Sequence, residues 1–310
     1  MSSNTAFIFP GQGSQYVGMG KELCAQFAVA QQVFTEAEDA LGFSLRRLCF
    51  DGPEAELKLT ENTQPAILTV AVAALRVLET ETALRAAVVA GHSLGEYSAL
   101  VAVGALQFVD AVRVVRERGR LMQQAVPAGE GAMAVLMGLE MDQVQSLCSD
   151  AGQGEIVSPA NYNGGGQVVI AGTKNAVARA MALAKERGAK RVMELPVSAP
   201  FHCQLMKPVA DGLQQVLSPV TIHPFCIGVV TNVEAEVNLN ADRVKSLLSE
   251  QAVQPVRWEE SVKKLAELGC RRVVEVGPGK VLKGLIKRIL PALDTDNFEA
   301  PQDLPRLAAA

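Results

Sequence analysis

Gly91-His92-Ser93-Leu94-Gly95 sets a serine between small residues in the order G-x-S-x-G. The apolar run AAVVA stands directly before it and the helix-forming run EYSAL directly after. A strand that turns sharply into a helix is the context in which this order makes a nucleophile. The small residues let the backbone fold back, and the Ser93 hydroxyl then sits at a helix N-terminus, where backbone N–H groups can stabilise a developing oxyanion. The plain alternative is a Gly-rich loop with an incidental serine, and the strand-before, helix-after context speaks against it.

A serine nucleophile needs a base, and the chain offers only three histidines, His92, His202 and His223. His92 adjoins Ser93, so on a tight turn its side chain should diverge from the hydroxyl. His223 precedes Pro224 in TIHP, a segment with no other chemical signal. His202 lies in VSAPFH, where a small lobe hands the chain back to a larger one, and lobe junctions favour clefts. Elimination puts His202 ahead, with a purely structural histidine as the alternative.

Arg118 belongs to DAVRVVRERGRLMQQAV, a run with helical spacing. With Ala111 at zero, Val115, Arg118 and Met122 fall within ~40° of it, so Arg118 shares the apolar stripe. Arg113, Arg116 and Arg120 fall on the opposite, solvated side. A cation on a buried stripe needs an anionic partner or strong hydrogen bonds. Either an internal Asp or Glu supplies that partner, or a substrate carboxylate does, which suits the bidentate guanidinium fork.

The elements that must position these residues alternate between strand and helix. TAFIF, ended by Pro10, and AAVVA, ended by Gly91, are short strands, with helical periodicity between them, including a helix over about 64–80 with Pro65 near its start. FPGQGSQ closes the first strand, and its Gly11 and Gly13 would let backbone approach a ligand. It lacks both the G-K-[ST] of a phosphate loop and the G-x-G-x-x-G of a dinucleotide site. From 131 to 198 the order is strand, helix, strand, Gly164-Gly165-Gly166 turn, strand, helix, strand, the β-α-β-β-α-β unit of ferredoxin-like folds. CIGVVT and RRVVEV are further strands, helices are expected near 241–250, 258–268 and 280–290, and the tail from about Leu293 reads as a loosely held extension.

The expected architecture is therefore α/β: an α/β-hydrolase-like large domain with a mostly parallel sheet over 1–128 and 199–292, interrupted by a small ferredoxin-like subdomain over 129–198, with a C-terminal tail over 293–310. Of the 310 residues, 49% are hydrophobic and 20% charged, enough for a large buried core. The net charge of −4 argues against a nucleic-acid partner. Paired basic residues such as Arg46-Arg47 and Lys190-Arg191 read as solvated faces. The longest uncharged apolar stretch, from Pro65 to Leu75, is too short to span a bilayer, so no membrane partner is expected. Six cysteines without a C-x-x-C pair read as free thiols in a reduced, cytoplasmic setting, and no metal or cofactor is expected.

Several motifs in order resemble those of malonyl-CoA:acyl carrier protein transacylases, from roughly Phe7 to Ile289. They are FPGQGSQ, GHSLGEYSAL, the R-G-x-x-M-Q run from Arg118, NYNGGGQVVIAG, the APFH containing His202, and EVGPGKVL. The resemblance implies an acyltransferase that takes malonyl from malonyl-CoA to acyl carrier protein through an ester on Ser93. It implies His202 as general base and acid, Arg118 as the clamp on the malonyl carboxylate, and the backbone N–H groups of Gln12 and Leu94 as the oxyanion hole. It further implies that a main-chain carbonyl, matching Gln251, orients the imidazole. Phe201 before the histidine is similar to the malonyl-type signature of polyketide acyltransferases, in which a bulky ring crowds an α-methyl group. Gly164-Gly165-Gly166 departs from the less flexible, proline-containing turn of many relatives.

Two other readings compete. A serine esterase or thioesterase uses the same G-x-S-x-G, differing in whether water or a thiol consumes the ester; Asp211-Gly212, which would suit a Ser/Asp pair, sits in a helical-looking run. A non-catalytic scaffold that binds carrier protein would have no need of Ser93, His202 and Arg118 together.

Overall fold

In chain order the strands are Thr5–Phe9 (β1), Val88–Gly91 (β2), Gly131–Met137 (β3), Val157–Gly164 (β4), Gln167–Thr173 (β5), Arg191–Glu194 (β6), Gly228–Val230 (β7), Val237–Asn238 (β8), Arg272–Val276 (β9) and Asp294–Phe298 (β10). They are those of a computed structural model that describes residues 4–127, 129–197 and 199–308. Met1 to Ser3 and Ser198, the last residue of the strand expected in RVMELPVS, lie outside the described residues.

Every residue of β1 and β2 is buried, as befits parallel strands covered on both faces. The larger sheet has the order β10-β9-β1-β2-β7-β8, parallel throughout except for the β7–β8 pair. Alternate residues serve opposite faces. Ala6, Ile8, Val88, Ala90 and Val273 pack with Trp258, Val262 and Ile286 on one side. Phe7, Phe9, Val89, Val274 and Val276 join the large core on the other. The protein is thus a mixed α/β fold with a mostly parallel main sheet, and among the described residues no helix is long and apolar enough to cross a membrane.

The smaller sheet, ordered β4-β5-β3-β6, is antiparallel at every pair. Ala134, Leu136 and Ile170 face the helices Met141–Gly152 and Lys174–Glu186, while Met133, Val135, Val169 and Ala171 belong to the main core. The sheet therefore lies with one face on the larger body. Gly165 and Gly166, at φ 60° and 72°, form the two-residue connection from β4 to β5. Positive φ at both central positions is what a twist-matched hairpin turn needs, so the triple glycine supports a defined turn.

The helix expected over about 64–80 begins earlier, at Thr60, and runs to Glu81. Pro65 sits inside it and has no N–H for the Glu61 carbonyl four residues back. Arg116 Nη1 supplies that carbonyl with a donor at 2.8 Å instead. Gly119 on the neighbouring helix, Phe108–Gln124, permits the close approach: a Cβ there would lie 2.6 Å from Glu61 Cα.

The C-terminal segment corrects an expectation. The tail read as a loose extension supplies β10, paired in parallel with β9 from Asp294↔Arg272 to Phe298↔Val276. Its polar sequence, DTDNF, hid the strand, because an edge strand can leave its outer positions to ion pairs. Asp296 receives Arg272 and Arg306, each at 3.2 Å, while Phe298 and Leu307 are buried in the core. Ending the chain at Leu293 removes both apolar anchors, each worth ~1.5–3 kcal/mol of burial. The truncated chain is expected to lose at least ~3 kcal/mol in urea unfolding, and an unchanged midpoint would show that the segment contributes nothing.

Candidate functional site

The turn from β2 into the helix Gly95–Ala102 is closed by contacts that no side chain could share. A Cβ on Gly91 would lie 2.0 Å from Gly95 O, and one on Gly95 would lie 2.0 Å from Phe9 O. Between them Ser93 adopts φ 52°, a left-handed conformation that costs a non-glycine residue ~1–3 kcal/mol. Asn232, just beyond β7, braces the turn from both sides: its Oδ1 accepts the Ser93 N–H at 2.6 Å, and its Nδ2 donates to Gly91 O at 2.6 Å.

His202 Nε2 lies 2.8 Å from Ser93 Oγ, and its Nδ1 lies 2.8 Å from the main-chain oxygen of Gln251. A carbonyl can only accept, so Nδ1 carries the hydrogen and the Nε2 lone pair faces the serine hydroxyl. Burial, reinforced by the neighbouring Arg118 cation, lowers the imidazole to about 3, although the Gln251 carbonyl opposes the shift. The imidazole is thus held neutral. His92 turns away, with Nε2 on Asn163 Oδ1 at 2.9 Å and its ring edge-on to Trp258. His223 meets the fold through its backbone N–H, donated to Ala105 O at 2.9 Å, and shares no hydrogen bond with Ser93.

Arg118 is 1% exposed. Its Nη1 donates to Gln64 Oε1 at 2.9 Å, and its Nη2 to Gln251 Oε1 at 2.9 Å and to Ser93 Oγ at 3.2 Å. Tyr97 lies beneath, its ring centroid 5.4 Å from Cζ. Among the described residues no carboxylate stands within ion-pair distance, and Nε has no hydrogen-bond partner. The internal salt bridge that could have explained this cation is therefore not formed; its partners are neutral oxygens. Arg113 and Arg120 are exposed and Arg116 is half-buried, as the helical spacing predicts.

These groups meet at a cleft lined by Gln12, Ser93, Leu94, Arg118, Phe201 and His202, roofed by Met133, Asn161 and Leu195 from the smaller sheet and its exit. Gly11 packs so closely on the turn that a Cβ would come within 2.4 Å of His92 O. That contact brings the Gln12 backbone beside Ser93. Among the described residues, the Gln12 and Leu94 N–H groups donate to no protein acceptor, which leaves both for an oxygen in the cleft. Hydroxyl, neutral base, two free N–H groups and one cation could together carry acyl transfer of an anionic acyl group.

Gln64, Asn232 and Glu96 also shape the site, and sequence reasoning passed over all three. Glu96 is 2% exposed, and burial raises its carboxyl to about 7 against hydrogen bonds from Gln251 and the Asn232 backbone. For two of them a signal was available: Gln64 stands directly before the apolar run PAIL, and Glu96 lies in the mostly apolar GEYSALVA.

The acyl transferase domain family matches residues 6–300. The malonyl CoA-acyl carrier protein transacylase of Escherichia coli K12 is 48% identical over 296 residues, covering 96% of each chain. The crystal structure of an acyl carrier protein S-malonyltransferase from Vibrio cholerae superposes with a TM-score of 0.96 at 48% identity, covering 98% of this chain and 100% of that one. A malonyl-transacylase solved with a type II polyketide synthase acyl-carrier protein superposes at 0.97 with 45% identity, covering 99% of each.

The lowered His202 value has a consequence for stability. The folded imidazole stays neutral down to about 3, whereas the unfolded one takes up a proton near 6.5, so the contribution is present above 6.5 and is lost as pH falls toward 3. Between pH 6.5 and 5, wild type is expected to lose ~1.5 kcal/mol more unfolding free energy than His202→Asn. Paired urea titrations measure the difference, and parallel losses would place His202 at its ordinary value.

Proposed function

The chain belongs to the acyl transferase domain family, among the malonyl CoA-acyl carrier protein transacylases, and on that footing we propose that it moves malonyl from malonyl-CoA to the phosphopantetheine thiol of acyl carrier protein, supplying fatty acid synthesis. The observation that carries this reading is the buried Arg118 guanidinium, beside Ser93 and, among the described residues, without a carboxylate within ion-pair distance. A site that keeps a cation unpaired next to its nucleophile is suited to a substrate that brings the anion.

In this reading Ser93 Oγ attacks the thioester carbon while His202 Nε2 takes the hydroxyl proton. The Gln12 and Leu94 N–H groups receive the oxyanion, and Arg118 holds the free carboxylate. The carbon–sulfur bond breaks, and the departing thiolate takes the proton back from Nε2. The carrier thiol then gives its proton to Nε2 and attacks the ester, and Ser93 Oγ leaves with that proton restored. Gln251 O keeps the imidazole in the required tautomer throughout. Phe201 lines the cleft, which supports the reading that its ring crowds an α-methyl group.

The finer architecture belongs to the same proposal. We read the larger sheet as α/β-hydrolase-like and 129–198 as a ferredoxin-like insertion between 1–128 and 199–292, a reading supported by the β4-β5-β3-β6 order. The described part of the 293–310 tail, up to residue 308, then closes the large domain at its edge. Six free thiols, five of them buried, suit a reducing cytoplasmic setting.

Intact-protein mass spectrometry after mixing with malonyl-CoA is expected to show a malonyl adduct that is absent from Ser93→Ala, whose turnover falls on the order of 10⁴-fold or more. Transfer of that adduct to a carrier thiol supports the reading, whereas loss to water at the same rate without carrier marks an esterase. Arg118→Ala is expected to reduce the kcat/KM ratio of malonyl-CoA to acetyl-CoA by ~100-fold or more, because only malonyl needs the guanidinium. An unchanged ratio in a folded variant would make Arg118 a structural cation.

A further inference from the structure

The Gln251 side chain has a direction that its own chemistry does not fix. A carboxamide fits a cavity equally well with its oxygen and nitrogen exchanged, so its neighbours decide which end faces where. Its Nε2 points at three oxygens: Glu96 Oε2 at 2.7 Å, Ser93 O at 3.0 Å and Asn232 Oδ1 at 3.5 Å. Its Oε1 accepts from Arg118 Nη2 at 2.9 Å. Exchanging the ends would set an oxygen against those acceptors and an NH2 against a guanidinium. Glu96 makes the shortest of the three contacts and is the only one of these acceptors that can carry a charge.

Glu96 Oε2 also accepts the Asn232 backbone N–H at 3.1 Å. It therefore reaches both the residue that aims Arg118 and the residue that clamps the Ser93 turn. It touches neither Ser93 Oγ nor the cleft, which its burial within the helix Gly95–Ala102 separates from it. We propose that Glu96 is a positioning residue: its carboxylate fixes the orientation of the Gln251 carboxamide, and through it holds Arg118 at the place where an acyl carboxylate must bind. The proposal rests on the transferase reading above, because the quantity it controls is preference for an anionic acyl group.

The test is the ratio of kcat/KM for malonyl-CoA over acetyl-CoA, which general loosening of the fold would not move, since it lowers both substrates together. Wild type is measured first; a wild type without a malonyl preference overturns the transferase reading itself, before any variant is made. Glu96→Gln keeps an acceptor oxygen toward Gln251 and is expected to hold the ratio within ~threefold of wild type. Glu96→Leu removes the acceptor at similar volume and is expected to lower the ratio at least ~tenfold. If the leucine variant does not fold, Glu96→Asp, which retracts the carboxylate by one methylene, takes its place with the same expected direction. In an Arg118→Ala background the same change at Glu96 is expected to leave the ratio where Arg118→Ala alone put it. A ratio that holds in Glu96→Leu, or that falls by the same factor with and without Arg118, overturns the positioning role.

Discussion

One buried guanidinium sets the terms for the rest of the site. Taking an arginine out of water costs several kcal/mol even after relaxation, and an uncompensated one is not tolerated. Arg118 is compensated by oxygens that carry no formal charge, those of Gln64, Gln251 and Ser93. Each carboxamide that turns its oxygen inward must send its NH2 elsewhere. Gln251 sends it to Glu96 and Ser93 O, and Gln64 sends it to Met122 Sδ at 3.4 Å. The demand of a single cation thus propagates through two helices and the nucleophile turn. The same charge, with burial, helps depress His202, so in the proposed reaction the group that suits an anionic substrate also keeps the base unprotonated.

Strain is concentrated where Ser93 and His202 meet. Ser93 and His202 both occupy the left-handed region, at φ 52° and 60°, which most residues avoid. Both are held by hydrogen bonds to segments far off in the chain. Ser93 is pinned between β2 and its helix by glycines that admit no Cβ, and by Asn232. His202 is 4% exposed and held by the Gln251 carbonyl. Segments far apart in sequence converge here, and the smaller sheet, which enters between Arg118 and His202 in the chain, supplies the roof. Such a site is stiff because its surroundings over-determine it.

What could be read in the sequence follows from how local each signal is. Ser93 was legible because a strand, a turn and a helix stand within a few residues, and Arg118 because helical spacing alone puts it on the apolar side. His202 needed elimination among three histidines, and Gln12, Leu94 and Gln251 needed resemblance, since a backbone N–H or carbonyl leaves no mark on residue type. Glu96 and Asn232 were missed because their partners lie far off in the chain, Gln251 and Ser93 respectively. The strands themselves were legible where they stood as apolar runs of several residues. The two-residue β8 was too short to show a pattern, and β10 was missed because its outer positions are carboxylates answering Arg272 and Arg306, so its alternation resembled a polar tail.

The neutral oxygen behind His202 is a consequence of the same cation. Serine hydrolases commonly place a carboxylate there, which stabilises the imidazolium as it forms. In this site the imidazole and the guanidinium share Ser93 Oγ and both contact Gln251, so a carboxylate in place of that carbonyl would stand close to Arg118. At low effective dielectric a full charge at such range would neutralise the guanidinium and compete with the carboxylate of an incoming acyl group. A carbonyl dipole fixes the tautomer without that competition. In the proposed reaction its cost would be a weaker hold on the imidazolium, which the cation beside Ser93 Oγ would partly offset by stabilising alkoxide character on the serine. In the proposed reaction, anion recognition and base orientation are therefore coupled choices, and Glu96 is kept one carboxamide away from the guanidinium.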